Sequence, residues 1–132
     1  MERIDKKFLK EAFGKSWSRE TSYPRTKDQW SKANPSFGQC AVTSLIINDL
    51  YGGKIVYNKD YHHYWNVLDN GAVIDLTKDQ FGKDIVIKSQ GETTREYILN
   101  SESAARALTA QRYQTLKKEV EKNLLLFVEA IK

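Results

Sequence analysis

The chain has 132 residues, 40% hydrophobic and 29% charged, with seven Gly and two Pro, a balance that excludes disorder and fibrous repeats and predicts one folded domain over residues 1–132. Its 21 Lys and Arg against 17 Asp and Glu give a net charge of +4. The two signs interleave, as in Lys117-Lys118-Glu119-Val120-Glu121-Lys122, so no nucleic-acid partner is expected.

The apolar run at residues 124–128 is far too short to cross a bilayer, and residues 1–5 lack the apolar stretch of a secretion signal. The expected setting is therefore cytoplasmic, with no membrane partner. Ile4, Phe8, Leu9, Ala12 and Phe13 recur at helical spacing among Lys and Glu, which predicts an amphipathic helix to about residue 17. Residues 16–38 hold Pro24 and Pro35 among many Ser, Thr, Asn and Lys. They read as a long surface connection pinned by Trp17, Tyr23 and Trp30.

Residues 40–50 are mostly apolar over a helical length and stop at Gly52-Gly53. They predict a buried helix with Cys40 in its first turn, although the β-branched Val42, Thr43, Ile46 and Ile47 are also compatible with a strand. Segments 54–58, 61–68 and 72–76 are short, rich in Val, Ile, Tyr and Trp, and separated by Asn, Asp and Gly. They predict an antiparallel meander. Residues 84–89 offer a fourth strand, 92–99 fit either state, and two helical segments close the chain. In the last of these Leu116, Val120, Leu124, Phe127 and Ile131 lie three or four apart. The expected class is α+β: a cysteine-bearing central helix on a small antiparallel sheet, with flanking amino- and carboxy-terminal helices.

Cys40 is the single cysteine, so no intramolecular disulfide forms and a reducing compartment suits the chain. A thiol at a helix amino terminus sits near unpaired N–H groups and the positive end of the helix dipole, which favour a nucleophilic thiolate. His62-His63 and Asp75 lie on the next predicted strands, where an imidazole can take the thiol proton and a carboxylate can orient the ring. Successive strand residues point to opposite faces, so one histidine alone shares a face with Asp75. A two-residue turn at Asn70-Gly71 places Asp75 opposite Asn66 and selects His62. A three-residue loop Asp69-Asn70-Gly71 places Asp75 opposite Trp65 and selects His63. Local sequence leaves both turns open.

Plainer roles stand beside these. A cysteine in an apolar helix serves as a small buried hydrophobe, a strand histidine is satisfied by backbone or water, and Asp75 caps the turn beginning at Thr77. Cys40, His62, His63 and Asp75 are permissible zinc ligands, but adjacent strand histidines diverge and no second cysteine exists. No metal and no cofactor are expected. Trp65, Asn66 and the loop residue Trp30 are candidate substrate contacts, with packing and hydrogen bonding as the alternative for the first two.

The stretch Asn34-Pro35-Ser36-Phe37-Gly38-Gln39-Cys40-Ala41-Val42-Thr43-Ser44-Leu45, then Gly52-Gly53, His63-Tyr64-Trp65-Asn66, Gly71, and Ile74-Asp75-Leu76-Thr77-Lys78-Asp79-Gln80-Phe81 resembles the YunG-like family of small bacterial proteins. The resemblance implies that His63 is the matching histidine. More distantly, a cysteine helix followed by His and Asp on consecutive strands is similar to the core of papain-like and transglutaminase-like enzymes. That likeness implies a cysteine-dependent hydrolase or acyltransferase acting on an amide, ester or thioester carbonyl of a peptide, protein or small acyl substrate. Cys40 would be the nucleophile, His63 the base and acid, and Asp75 the orienting carboxylate. The Cys40 N–H would supply one oxyanion donor, and Gln39 and Asn34 are the side-chain amides available for a second. The alternative is a non-catalytic member of the same fold that acts as a binding or regulatory module.

Overall fold

The computed structural model of the chain describes residues 6–82 and 84–130, with side chains up to residue 126. Helix α1 (Lys6–Ser16) buries Leu9, Ala12 and Phe13, the face set by helical periodicity; Ile4 lies outside the described residues. Trp17 Nε1 donates to Thr43 Oγ1 at 3.0 Å, which ties the end of α1 to the next helix.

The long connection is ordered by its own chemistry. Two 3-10 turns, Arg19–Thr21 and Pro24–Gln29, occupy its first half, the second started by a proline whose ring presets φ. Trp30 Nε1 donates to Pro35 O at 2.9 Å while the Arg19 guanidinium lies 5.9 Å from its ring centre. Gly38 adopts φ +73°, and a Cβ there would sit 2.8 Å from the Tyr23 nitrogen, so this position before the cysteine requires glycine.

Residues Cys40–Tyr51 form helix α2, and the alternative strand does not occur. Val42, Leu45, Ile46 and Ile47 are all buried, and packing on several sides outweighs the modest helix penalty of the β-branched residues. The helix ends at Gly52 with φ +71°. Each fully buried large aliphatic side chain here contributes about 1.5–3 kcal/mol of apolar transfer energy.

An antiparallel four-stranded sheet of order β3-β2-β1-β4 covers α2, with β1 at Lys54–Asn58, β2 at His63–Val67, β3 at Val73–Ile74 and β4 at Gly91–Thr93. The meander is as expected, but two details differ. His62 precedes β2 in a turn with φ +50°, so only His63 belongs to the strand. Residues 84–89 are not a strand. Val86 among them is 77% exposed, and the run Ile85-Val86-Ile87 has none of the alternation a half-buried strand needs. That segment instead leads the chain to the free edge of β1, guided by Asn58 Nδ2 to Lys88 O (2.9 Å) and Gln90 N to Tyr57 O (2.9 Å).

The ambiguous stretch 92–99 splits between β4 and helix α3 (Arg95–Asn100), and the two closing helices are α4 (Glu102–Arg106) and α5 (Thr109–Ala130). Ser101 divides α3 from α4, because its hydroxyl accepts from Ala104 N and starts α4 where α3 ends. Leu116 and Val120 of α5 are fully buried and Leu124 is half-buried; the side chains of Phe127 and Ile131 lie outside the described residues. Asp49 of α2 pairs with Arg95 at 3.0 Å and Lys117 at 3.4 Å, and accepts from the Tyr113 hydroxyl, joining α2, α3 and α5. Among the described residues no helix is long and apolar enough to cross a membrane.

Candidate active site

The β2–β3 connection decides which histidine meets Asp75. Leu68 N donates to Ala72 O at 2.8 Å, Gly71 N to Leu68 O at 2.9 Å, and Gly71 has φ +87°. This is the three-residue loop, and the register pairs Asn66 with Ile74, so the next pair outward is Trp65 with Asp75. His63 shares that parity. Its Nε2 lies 2.7 Å from Asp75 Oδ2, with the imidazole fully buried and the carboxylate mostly so.

Two aromatic rings bracket the imidazole. Trp65 stacks on it at 5.3 Å with an interplanar angle of 22°, and Phe81 meets it edge-on at 4.8 Å. Thr77 Oγ1 donates to Asp75 Oδ1 at 3.5 Å, so the carboxylate is held at both oxygens. With Nε2 directed at Asp75, Nδ1 is the ring atom left for other partners. That atom is buried and has no hydrogen-bond partner.

Cys40 reaches this place from the first turn of α2. The thiol is half-buried and its Sγ donates to the His62 carbonyl at 3.4 Å. The left-handed backbone of His62 turns that carbonyl inward while its own side chain stays exposed. Burial of the His63 ring favours its neutral form. The hydrogen bond to Asp75, together with the nearness of Cys40 and the charge of Asp75, outweighs burial and pushes His63 up from 6.5 to about 9. Cys40 on α2 thus lies near His63 on β2, and His63 is hydrogen-bonded to Asp75 at the end of β3.

The amino end of α2 has no side-chain cap. The N–H groups of its first turn, that of Cys40 among them, lack intrahelical partners. Gln39 is fully buried with Nε2 donating to Ser18 O at 2.9 Å. Its unpartnered atom is the acceptor Oε1, the wrong polarity for an oxyanion. Asn34 lines a separate cleft of about 260 Å³ with Trp17, Pro35, Ser36, Leu76 and Asp79.

The candidate substrate contacts each have structural partners. Asn66 is 1% exposed and donates through Nδ2 to Ser44 O at 3.0 Å, a tie between sheet and helix. Trp65 is buried and supports the imidazole, and Trp30 has its indole N–H committed to Pro35. Reasoning from sequence missed Phe81 and Gln80. Gln80 accepts from Gly38 N at 3.2 Å through Oε1 and donates to Thr77 O at 3.0 Å, linking the loop before Cys40 to the turn after Asp75. Neither side chain carries reactive chemistry, so only their place just after Asp75 pointed to them. Among the described residues no group of three or more His, Cys, Asp or Glu is placed to hold a metal ion.

A family model described as YunG protein matches residues 5–125. The chain is also similar to the Bacillus subtilis (strain 168) protein called Uncharacterized protein YunG, 31% identical over 111 residues that cover 83% of this chain and 85% of that one. No solved structure matches. The stretch matched by the family model takes in both the cysteine helix and the strands that carry His63 and Asp75, and the chain belongs to the YunG family.

Proposed function

We propose that this protein is a small cysteine-dependent hydrolase or acyltransferase with a papain-like or transglutaminase-like core. The observation that carries the reading is the His63 imidazole, gripped by Asp75 on Nε2 while its buried Nδ1 has no partner and Cys40 acts on the ring. A buried ring nitrogen without a partner costs stability, and a catalytic role accounts for its being kept.

In the proposed cycle His63 takes the Cys40 proton and the thiolate attacks an amide, ester or thioester carbonyl. The carbonyl π pair moves to oxygen, facing the Cys40 N–H. Collapse expels the amine, alcohol or thiol, which leaves with the proton from the His63 imidazolium and gives an S-acyl enzyme. Water, an amine or a thiol then loses a proton to His63, attacks the thioester and releases Cys40. Asp75 keeps the ring oriented throughout.

A second reading, a binding module without catalysis, draws on the Cys40 Sγ bond to the His62 carbonyl, which directs the thiol proton away from His63. The two readings separate on S-acylation. Exposed to activated esters and thioesters, the wild type should acquire an acyl group on Cys40, detected by mass spectrometry, at least roughly a hundredfold faster than free cysteine. The adduct should be absent in Cys40→Ala and slowed by a similar factor in His63→Ala. Acylation no faster than that of free cysteine establishes the binding module instead.

A further inference from the structure

Arg112 of α5 is 5% exposed, yet no carboxylate among the described residues pairs with it. Its side chain makes one hydrogen bond among them, from Nε to Thr21 O at 3.3 Å. A long, neutral bond of that kind does little to offset burying a guanidinium, which ordinarily demands a carboxylate or phosphate.

Its position explains why such a cation would be kept. The turn from Ser18 to Thr21 is gripped at both ends, by Gln39 at the Ser18 carbonyl and by Arg112 at the Thr21 carbonyl. Gln39 immediately precedes Cys40, so Arg112 and the amino end of α2 hold the same short turn. Burial lowers the Arg112 pKa to about 10, opposed by the charges of Cys40 and Tyr23, and the side chain remains cationic at neutral pH. Tyr23 also lines a surface cavity of about 120 Å³ with Arg25 and Arg106. Within the same corner the Gln39 Oε1 and His63 Nδ1 atoms are buried and unpartnered. Asp75 is committed to His63 and Asp49 to Arg95 and Lys117, and Glu20, within the turn itself, is exposed.

We propose that Arg112 is the specificity-determining residue beside Cys40, a buried cation that receives a carboxylate carried by the acyl substrate. The inference rests on reading Cys40 as the nucleophile, and it narrows the substrate class to acidic acyl compounds. Arginine suits this task better than lysine, because its planar fork meets both carboxylate oxygens while Nε stays on Thr21 O.

Two alkylating reagents of nearly equal size test it without a known substrate: iodoacetate carries a carboxylate, and iodoacetamide is neutral. The ratio of their rates on Cys40, measured where the thiol is ionised in every variant, should fall roughly tenfold in Arg112→Gln and be largely kept in Arg112→Lys. Lys118→Gln, which removes the same charge from an exposed position of α5, should leave the ratio unchanged. An unchanged ratio in Arg112→Gln, or an equal fall in Lys118→Gln, overturns the proposal. Should Arg112→Gln fail to fold, acetate must protect wild-type Cys40 against iodoacetamide better than acetamide does at matched ionic strength, and equal protection by the two overturns it. The rate with iodoacetamide alone reports whether the thiol is activated, so a failure of the catalytic reading is seen separately from a failure of the Arg112 assignment.

Discussion

His63 and Asp75 meet at 2.7 Å because the hairpin between their strands turns through three residues, with Gly71 in the left-handed region. The contact buries an imidazole between Trp65 and Phe81 and leaves only Nδ1 for other chemistry. Its strength should be visible in titration. Asp75→Asn removes the charge while keeping the shape, and NMR titration of the imidazole should show the His63 pKa falling clearly from about 9, because burial is then opposed less. A value that stays near 9 would mean that Asp75 does not hold the ring.

The same shift fixes a pH dependence of folding. His63 has a higher pKa folded than unfolded, so its contribution is fully present below about pH 6.5 and is lost as the pH rises through about 9. Urea unfolding of wild type and His63→Gln should therefore differ most at low pH and converge above the folded pKa, by a margin on the order of 2 kcal/mol. A difference that is constant across this window contradicts the ion pair.

Glycine positions before and after the cysteine helix should respond unequally. Gly38→Ala places a Cβ 2.8 Å from backbone at φ +73° and should cost more than about 2 kcal/mol. Gly71→Ala, at φ +87° with open space around it, meets only the conformational penalty of about 1 kcal/mol. Chemical denaturation of the two variants checks the order, and a larger loss at Gly71 would contradict the packing of the loop on Tyr23.

Asn66→Leu tests whether that residue is structural. It leaves the Ser44 carbonyl without its partner and should destabilise by about 1–3 kcal/mol. The alkylation rate of Cys40 per folded molecule should stay at the wild-type value. A changed rate with unchanged stability would return Asn66 to the substrate site.

Much of this arrangement is legible in sequence because it follows from short-range rules. The apolar run after Gln39, the stop at Gly52 and the alternation through β1 and β2 predict helix, end and sheet from local pattern. The histidine assignment was open on pattern alone, since a single residue of loop length reverses parity, and hydrogen bonds at Leu68 and Gly71 determine it. Residues 84–89 misled because Ile85-Val86-Ile87 has strand composition, while the free edge that captures the chain belongs to β1, far away in sequence. Arg112 was illegible for the opposite reason. It is one basic residue in a helix of mixed charge, and only tertiary packing reveals that it is buried without a carboxylate.

The central claim is that His63 activates Cys40. The most direct test is the rate of Cys40 alkylation by iodoacetamide from about pH 4 to 10 in wild type, His63→Ala and His62→Ala. The account predicts fast alkylation persisting well below the pH range of a free thiol, lost in His63→Ala and retained in His62→Ala, whose carbonyl and turn remain. A thiol that reacts only above about pH 8.5 in all three proteins, or one reached only on unfolding, would contradict it.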